Sequence, residues 1–284
     1  MSSGPLLDIQ HVTYAYPVQP RPQSESSSIP VLRDLSLQVQ EGEYVVLLGH
    51  NGCGKSTLAR LCNGLLLPDR GRVLVDGHDT RDSGQRRTIR ECVGMVFQNP
   101  DNQIIATVVE DDVAWALAVR GWSRPSIKER VDAAMMAVGI DTLRHLPPSR
   151  LSGGQRQRVA LAGILALRPR CIITDEATSM LDPLSRQEIT LLLHQLHQEQ
   201  KLTLVQITHL LEEAALAQRV VVMSQGQVVL DGPPAMIFRN LALLRSLKLE
   251  IPEPLLLAER LRQTGLPISH DAVTLSAIAE ELAP

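Results

Sequence analysis

The chain has 284 residues, of which 44% are apolar, 2% aromatic and 21% charged, with a formal net charge of −3. That is enough apolar chain for one large α/β domain, or for a main domain with an appendage, around a substantial core. The near balance of charge offers no broad polybasic field and the scarcity of aromatics removes stacking platforms, so no nucleic-acid partner is expected.

Leu7 to Tyr16 alternates apolar and polar residues, which predicts an edge strand ending in Tyr14 and Tyr16 before Pro17. Residues 17–30 are rich in Pro, Ser and Gln and read as a flexible loop, with a second strand expected from near Val31. The run Tyr44-Val45-Val46-Leu47-Leu48 predicts a buried strand, and Leu58, Ala59, Leu61 and Leu65 beyond it have helical spacing. Pro68-Asp69-Arg70-Gly71 turns into a strand from Arg72 to Val75, and Asp76-Gly77 makes the next turn. Val93 to Phe97 predicts another strand. From Val108 to about His145 the apolar positions recur at helical intervals, predicting a helical subdomain, and Leu151 to Leu167 forms one more helix. Cys171 to Asp175 is a buried strand, Pro183 to Gln198 a helix, and Leu202 to Thr208 and Arg219 to Met223 are further strands. Pro233 onward reads as a helical tail interrupted by Pro252, Pro254 and Pro267. Short apolar strands alternating with helices specify an α/β fold with a largely parallel sheet, which takes ligands at the carboxyl ends of its strands.

The four cysteines, Cys53, Cys62, Cys92 and Cys171, show no C-x-x-C pairing, suggest neither a zinc site nor a disulfide framework, and fit a reducing cytosol. The opening residues lack a basic region followed by an apolar stretch, and no segment approaches ~18 apolar residues. A role at a membrane is expected to be exercised from outside the bilayer.

Between the Tyr44–Leu48 strand and its following helix lies Gly49-His50-Asn51-Gly52-Cys53-Gly54-Lys55-Ser56-Thr57, a phosphate-binding loop in its required strand-to-helix setting. Glycines let the backbone curl round a polyphosphate with its N–H groups inward, and the helix N-terminus adds partial positive charge. Lys55 is expected to reach the β- and γ-phosphates and Ser56 to ligate Mg²⁺. Asp175 and Glu176 end a later strand, where one acid suits Mg²⁺ and the next suits a water to be activated for attack. Ser152-Gly153-Gly154-Gln155 opens another helix, which is a second candidate anion site; an N-cap Ser followed by flexible glycines is the plainer reading. Cys53, close to Lys55 at a helix start, sits in the kind of electropositive setting that favours thiolate, with a maleimide reaction blocked by ATP; an inert small residue is the other reading. Glu110-Asp111-Asp112 at a helix start is stabilised by the dipole whether or not it has a partner.

Taken in order, the loop, the Leu151-Ser152-Gly153-Gly154-Gln155 run and the Asp175-Glu176 pair resemble the motifs of ATP-binding cassette (ABC) proteins. The resemblance implies a P-loop ATPase domain with a mostly parallel core sheet, an antiparallel β subdomain, a helical signature subdomain and a small helical C-terminal extension. It places the ATPase domain at residues 6–240, with the helical subdomain at about 103–165, and the extension at 241–284. It implies ATP and Mg²⁺ as cofactors, with Ser56, Gln98 and Asp175 toward the metal and Glu176, His209 and Gln98 as catalytic residues. Tyr16 stands where the family stacks an aromatic on adenine, and Ser179-Met180-Leu181-Asp182 matches the loop that crosses the dimer interface. Ser152, Gly153, Gly154 and Gln155 are implied to act on ATP held by the phosphate loop of a partner subunit.

Phe97-Gln98-Asn99-Pro100-Asp101-Asn102-Gln103, Thr107 to Val113, Asp175 to Pro183 and, in the tail, Leu247 to Glu253, Leu261 to Pro267 and Leu275 to Leu282 are similar to ATPase subunits of energy-coupling factor (ECF) importers. That similarity implies an ATP hydrolase, peripheral on the cytoplasmic side of the cell membrane, driving uptake of a vitamin or transition-metal ion. Its partners would be a second ABC ATPase subunit, a transmembrane coupling subunit and a membrane substrate-binding component, with Glu110-Asp111-Asp112 near a groove for the coupling helices. A cassette of another ABC transporter type, or a soluble ABC factor acting on nucleic acid or ribosomes, is the alternative. The sequence departs from the family pattern at Cys53 and Ala177, neither of which removes a ligand, and in the length of residues 17–30, which bears on the orientation of Tyr16.

Overall fold

The structure is a computed structural model that describes residues 4–17, 29–269, 272 and 275–282. In chain order the elements are β1 (Leu7–Tyr14), β2 (Leu32–Val39), β3 (Tyr44–Leu48), α1 (Lys55–Cys62), β4 (Arg70–Val75), β5 (His78–Asp79), α2 (Arg86–Cys92) and β6 (Val93–Val96). A short 3-10 turn at Pro100–Asn102 leads to α3 (Val109–Val119), α4 (Arg124–Ala137) and α5 (Gly153–Leu165). Then follow β7 (Cys171–Asp175), α6 (Pro183–Gln200), β8 (Thr203–Thr208), α7 (Leu211–Ala214), β9 (Arg219–Ser224) and β10 (Gln227–Gly232). The tail carries α8 (Pro234–Phe238), α9 (Leu241–Ser246), α10 (Glu253–Gln263) and α11 (Leu275–Leu282).

Two sheets form. One is antiparallel with order β2-β1-β4-β5, and the other has order β10-β9-β3-β8-β7-β6. In the second, β3 pairs parallel with both β8 and β9, β8 with β7 and β7 with β6, while β10 closes one edge antiparallel to β9. The strand ahead of the phosphate loop therefore lies between β8 and β9, and every strand end that carries a candidate residue opens on the same side of the sheet.

β3 shows why this sheet must be covered on both faces. All five of its residues are buried, and successive side chains of a strand point to opposite faces. Tyr44, Val46 and Leu48 enter the core that holds the helices after β6, including Val113 and Leu117 of α3 and Val159 of α5. Val45 and Leu47 enter a second core with Leu58 and Leu61 of α1 and the inward residues Ile9, Leu37 and Val73 of the antiparallel sheet. Each fully buried aliphatic side chain contributes roughly 1.5–3 kcal/mol relative to exposure. A third, small cluster of Ala258, Ile268, Ala272 and Ile278 packs within the tail, whereas Leu241, Leu244, Leu249 and Leu255 join the first core.

Some expectations change. β1 is not an edge strand: it pairs with β2 on one side and β4 on the other. Its alternation marks a sheet with one face buried, which says nothing about how many neighbours a strand has. It ends at Tyr14, and β2 begins at Leu32. The helical stretch after Val108 is two helices, divided at Gly121, whose φ of 76° suits glycine. α5 starts at Gly153 because Ser152 caps it. The segment expected to be a flexible loop falls largely on residues 18–28, outside the described residues. Among the described residues no helix is long and apolar enough to cross a membrane.

Candidate functional site

The phosphate loop fills the gap between β3 and α1, and its glycines are required at two points. A Cβ on Gly49 would come within 2.5 Å of the Met223 carbonyl oxygen. Gly54, with φ 109°, is the N-cap of α1 and brings no capping side chain, so the first-turn N–H groups are left for another acceptor. Lys55 is 3% exposed. Its Nζ donates to the carbonyl oxygens of Gly49 at 2.6 Å and His50 at 3.2 Å, and lies 3.7 Å from Glu176 Oε1. His50 Nδ1 lies 2.7 Å from the Asn51 carbonyl oxygen.

Cys53 corrects an expectation. It is 1% exposed, and although Lys55 Nζ lies 4.0 Å from its Sγ, burial pushes the thiol up and outweighs the ammonium. The setting favours thiol over thiolate.

At the end of β7 two carboxylates diverge. Asp175 is buried and its Oδ1 accepts from Ser56 Oγ at 2.6 Å. Burial raises its carboxyl above the usual carboxylate range, offset in part by the Ser56 hydroxyl. A serine hydroxyl and a buried carboxylate side by side are hard oxygen donors, the kind of set Mg²⁺ takes when substrate phosphates complete its shell. The next residue, Glu176, has φ 50°. This left-handed conformation costs a non-glycine residue of order 1–3 kcal/mol and persists only where its surroundings hold it. Here the Glu176 N–H donates to the Ile207 carbonyl at 3.0 Å and its own carbonyl accepts from the Ser179 N–H at 3.1 Å. The turn swings Glu176 Oε2 to 3.7 Å from His209 Nδ1 at the end of β8, beyond hydrogen-bond length.

Gln98, just past β6, donates from Nε2 to Ser179 Oγ at 3.0 Å, and that hydroxyl donates to the Glu176 carbonyl at 2.9 Å. Tyr16 is 40% exposed, sits edge-on to Tyr14 with ring centroids 5.1 Å apart, and has its hydroxyl 3.2 Å from Thr57 Oγ1. Tyr16, Asn51, Gly52, Gly54, Lys55, Ser56, Thr57, Gln98 and Glu176 line a single open cleft of about 380 Å³. Residues from four separate stretches of sequence thus meet at the carboxyl ends of β3, β6 and β7.

Ser152, Gly153, Gly154 and Gln155 do not line that cleft. They open α5 as a capping box: the Ser152 hydroxyl accepts from the Gln155 N–H at 3.2 Å, and the Gln155 side chain accepts from the Ser152 N–H at 2.9 Å. A Cβ on Gly154 would lie 3.0 Å from Ser185 Oγ on α6, so the glycine lets the two helices approach. Of the acidic run, Asp112 accepts from the Ile105 and Ala106 N–H groups at 2.7 and 2.9 Å and Glu110 pairs with Arg144 at 3.0 Å. Asp111 is exposed.

Two arrangements were missed by sequence reasoning. Gln103 lies across the end of edge strand β6, donating to the Met95 carbonyl at 3.1 Å and accepting from the Phe97 N–H at 2.7 Å. A second, fully buried set joins Tyr44, Thr178, Gln206 and Glu213. Its signals were a Gln inside the apolar run Val205-Gln206-Ile207 and a Glu followed by Ala214 and Ala215.

The ABC transporter family model matches residues 32–179. The chain belongs to the ABC transporter family. Curated relatives match it over nearly their whole length. It is 44% identical over 275 residues to the energy-coupling factor transporter ATP-binding protein EcfA1 of Caldanaerobacter subterraneus subsp. tengcongensis, covering 97% of this chain and 98% of that one. It is 46% identical over 283 residues to EcfA1 of Symbiobacterium thermophilum, covering 99% and 97%. Among solved structures it superposes on cbiO1 from Clostridium perfringens, part of the ABC transporter complex cbiONQ, with TM-score 0.76, 33% identity, and 90% and 100% coverage. The dimeric post-hydrolysis ATP-binding cassette MJ0796, bound to ADP and Pi, matches with TM-score 0.71, 29% identity, and 80% and 98% coverage. The fold is thus that of an ABC ATPase cassette, an α/β domain in which a mostly parallel sheet is flanked by an antiparallel sheet and a helical layer.

Proposed function

We propose that this chain is the ATP-hydrolysing subunit of an energy-coupling factor importer, in which ATP binding and hydrolysis at a dimer interface drive uptake of a vitamin or transition-metal ion. The observation that carries the ATPase is the cleft in which Lys55, Ser56, Gln98 and Glu176 converge. The importer reading follows the near-full-length likeness to EcfA1 proteins.

In this reading Tyr16 stacks on adenine, residues 49–57 wrap the phosphates with backbone N–H groups, and Lys55 exchanges its loop carbonyls for phosphate oxygens. Ser56 and Asp175 would hold Mg²⁺ with help from Gln98, and the metal would supply charge neutralisation to the triphosphate. Glu176 accepts the proton of the attacking water, and His209, held beside it, contacts the γ-phosphate. Rate enhancement comes from positioning and preorganised charge.

Ser152, Gly153, Gly154 and Gln155 complete the site of a second ATPase subunit, whose own copies complete this one. The helical part at about 103–165 belongs to the ATPase domain at 6–240, and 241–284 is the extension. A transmembrane coupling subunit docks near Asp111, with a membrane substrate-binding component beyond it, so the chain works peripherally on the cytoplasmic side of the cell membrane.

Sizing the full chain with a candidate second ATPase, with and without Mg²⁺ and a non-hydrolysable ATP analogue, tests the core of this reading. A nucleotide-dependent pair is expected. A chain that stays monomeric with every candidate mate, while binding the analogue, overturns it.

A further inference from the structure

Glu213, on α7, is 4% exposed, and both of its donors are neutral side chains. Thr178 Oγ1 donates to Oε1 at 2.6 Å and Gln206 Nε2 donates to Oε2 at 2.9 Å. Gln206 in turn accepts from the Tyr44 hydroxyl at 2.5 Å. A buried carboxylate whose hydrogen-bond donors among the described residues are both neutral is expensive compared with an apolar residue of the same size, so packing does not explain it. What such a group does well is hold its donors in one arrangement.

Those donors stand at informative places. Thr178 follows Glu176 by two residues, on the segment that leaves the left-handed turn at Glu176. Gln206 precedes His209 by three residues on β8, and Glu213 follows it by four on α7. The carboxylate thus closes a ring: it grips the segment after Glu176 with one oxygen and the strand before His209 with the other. The Glu176 N–H, bonded to the Ile207 carbonyl, makes the third tie between the same two segments.

We infer that Glu213 is a positioning residue that fixes Glu176 relative to His209. Glu213 lines no part of the cleft that contains Lys55 and Glu176, so it acts through Glu176 and His209. The inference rests on the roles proposed above for Glu176 and His209.

Steady-state ATP hydrolysis and ATP affinity are measured on the full chain in its assembled complex for Thr178→Val, Glu213→Ala, Glu213→Gln and the Thr178→Val/Glu213→Ala double variant. Thr178→Val and Glu213→Ala should each lower kcat by about ten- to a hundredfold while ATP Kd stays within about threefold. The double variant should fall no further than the worse single one. Glu213→Gln should recover most of kcat, because an amide accepts from Gln206 and donates to the Thr178 hydroxyl. Should Glu213→Ala fail to fold, Thr178→Val and Glu213→Gln carry the test. Wild-type kcat in Thr178→Val, a Kd loss that matches the kcat loss, or a Glu213→Gln variant no better than Thr178→Val would each overturn the inference. Full turnover in Glu176→Gln would instead remove the catalytic reading of that residue, a separate outcome.

Discussion

Ser56 Oγ donates to Asp175 Oδ1 across 2.6 Å, tying the first turn of α1 to the last residue of β7. The two strands that deliver these residues, β3 and β7, are not neighbours; β8 lies between them. The hydroxyl therefore spans the tip of β8, the strand that leads to His209, and the phosphate loop, the acids and the histidine share one rim.

Asp175 is expected to oppose folding at neutral pH. Its folded pKa is raised, with burial the leading cause. A carboxyl shifted this way contributes stability below its unfolded value, about 3.9, and loses it as pH rises through the folded value. Asp175→Asn should raise the melting temperature of the metal-free chain by a few degrees at neutral pH, with the gain shrinking as pH falls toward about 4, while Mg²⁺-dependent hydrolysis is lost. Thermal melts across that pH range check the sign.

Glu176→Gln should keep ATP affinity and lower turnover by about 10²–10⁴-fold, the range typical of general-base removal. Phosphate release and equilibrium nucleotide binding on the same preparation separate the two effects. Near-normal turnover would assign the water-activating role elsewhere.

Cys53 should react with maleimide at least about tenfold more slowly than free cysteine near pH 8, and faster as pH rises, because burial both covers Sγ and raises its pKa. Peptide mapping after timed labelling follows it. Rapid labelling of Cys53 in folded protein would contradict the buried placement of its side chain.

Gln103→Leu should destabilise the chain by about 1–3 kcal/mol, since it leaves the Phe97 N–H and the Met95 carbonyl without their partner. Urea unfolding measures the loss. Gln98 begins only two residues beyond Val96, the end of β6, so nucleotide hydrolysis should weaken alongside stability.

The phosphate loop, the acids after Cys171-Ile172-Ile173-Thr174 and the capped start of α5 were legible because each is built from residues adjacent in sequence. A strand, a glycine turn and a helix start leave local traces in residue type. What escaped depends on distant partners. β1 reads as an edge strand in sequence because its two neighbours arrive from Leu32–Val39 and Arg70–Val75. The nearness of Cys53 to Lys55 in sequence suggests a thiolate, yet the side chain packs with Val221 and Met223 in one core, and the Gly226 N–H donates to its carbonyl at 3.1 Å. Glu213 gave a faint sign, a charge beside alanines, and only the fold supplied Thr178 and Gln206 to explain it.

The separation of Ser152–Gln155 from the cleft that contains Lys55 has a genetic consequence under the composite-site reading. In a pair made with a different ATPase, a lesion at Lys55 and a lesion at Gly153 of this same polypeptide disable opposite compartments. Alleles of one gene would then sort into two phenotypic groups according to which trapped nucleotide still turns over, and the line between the groups would follow geometry rather than position along the chain.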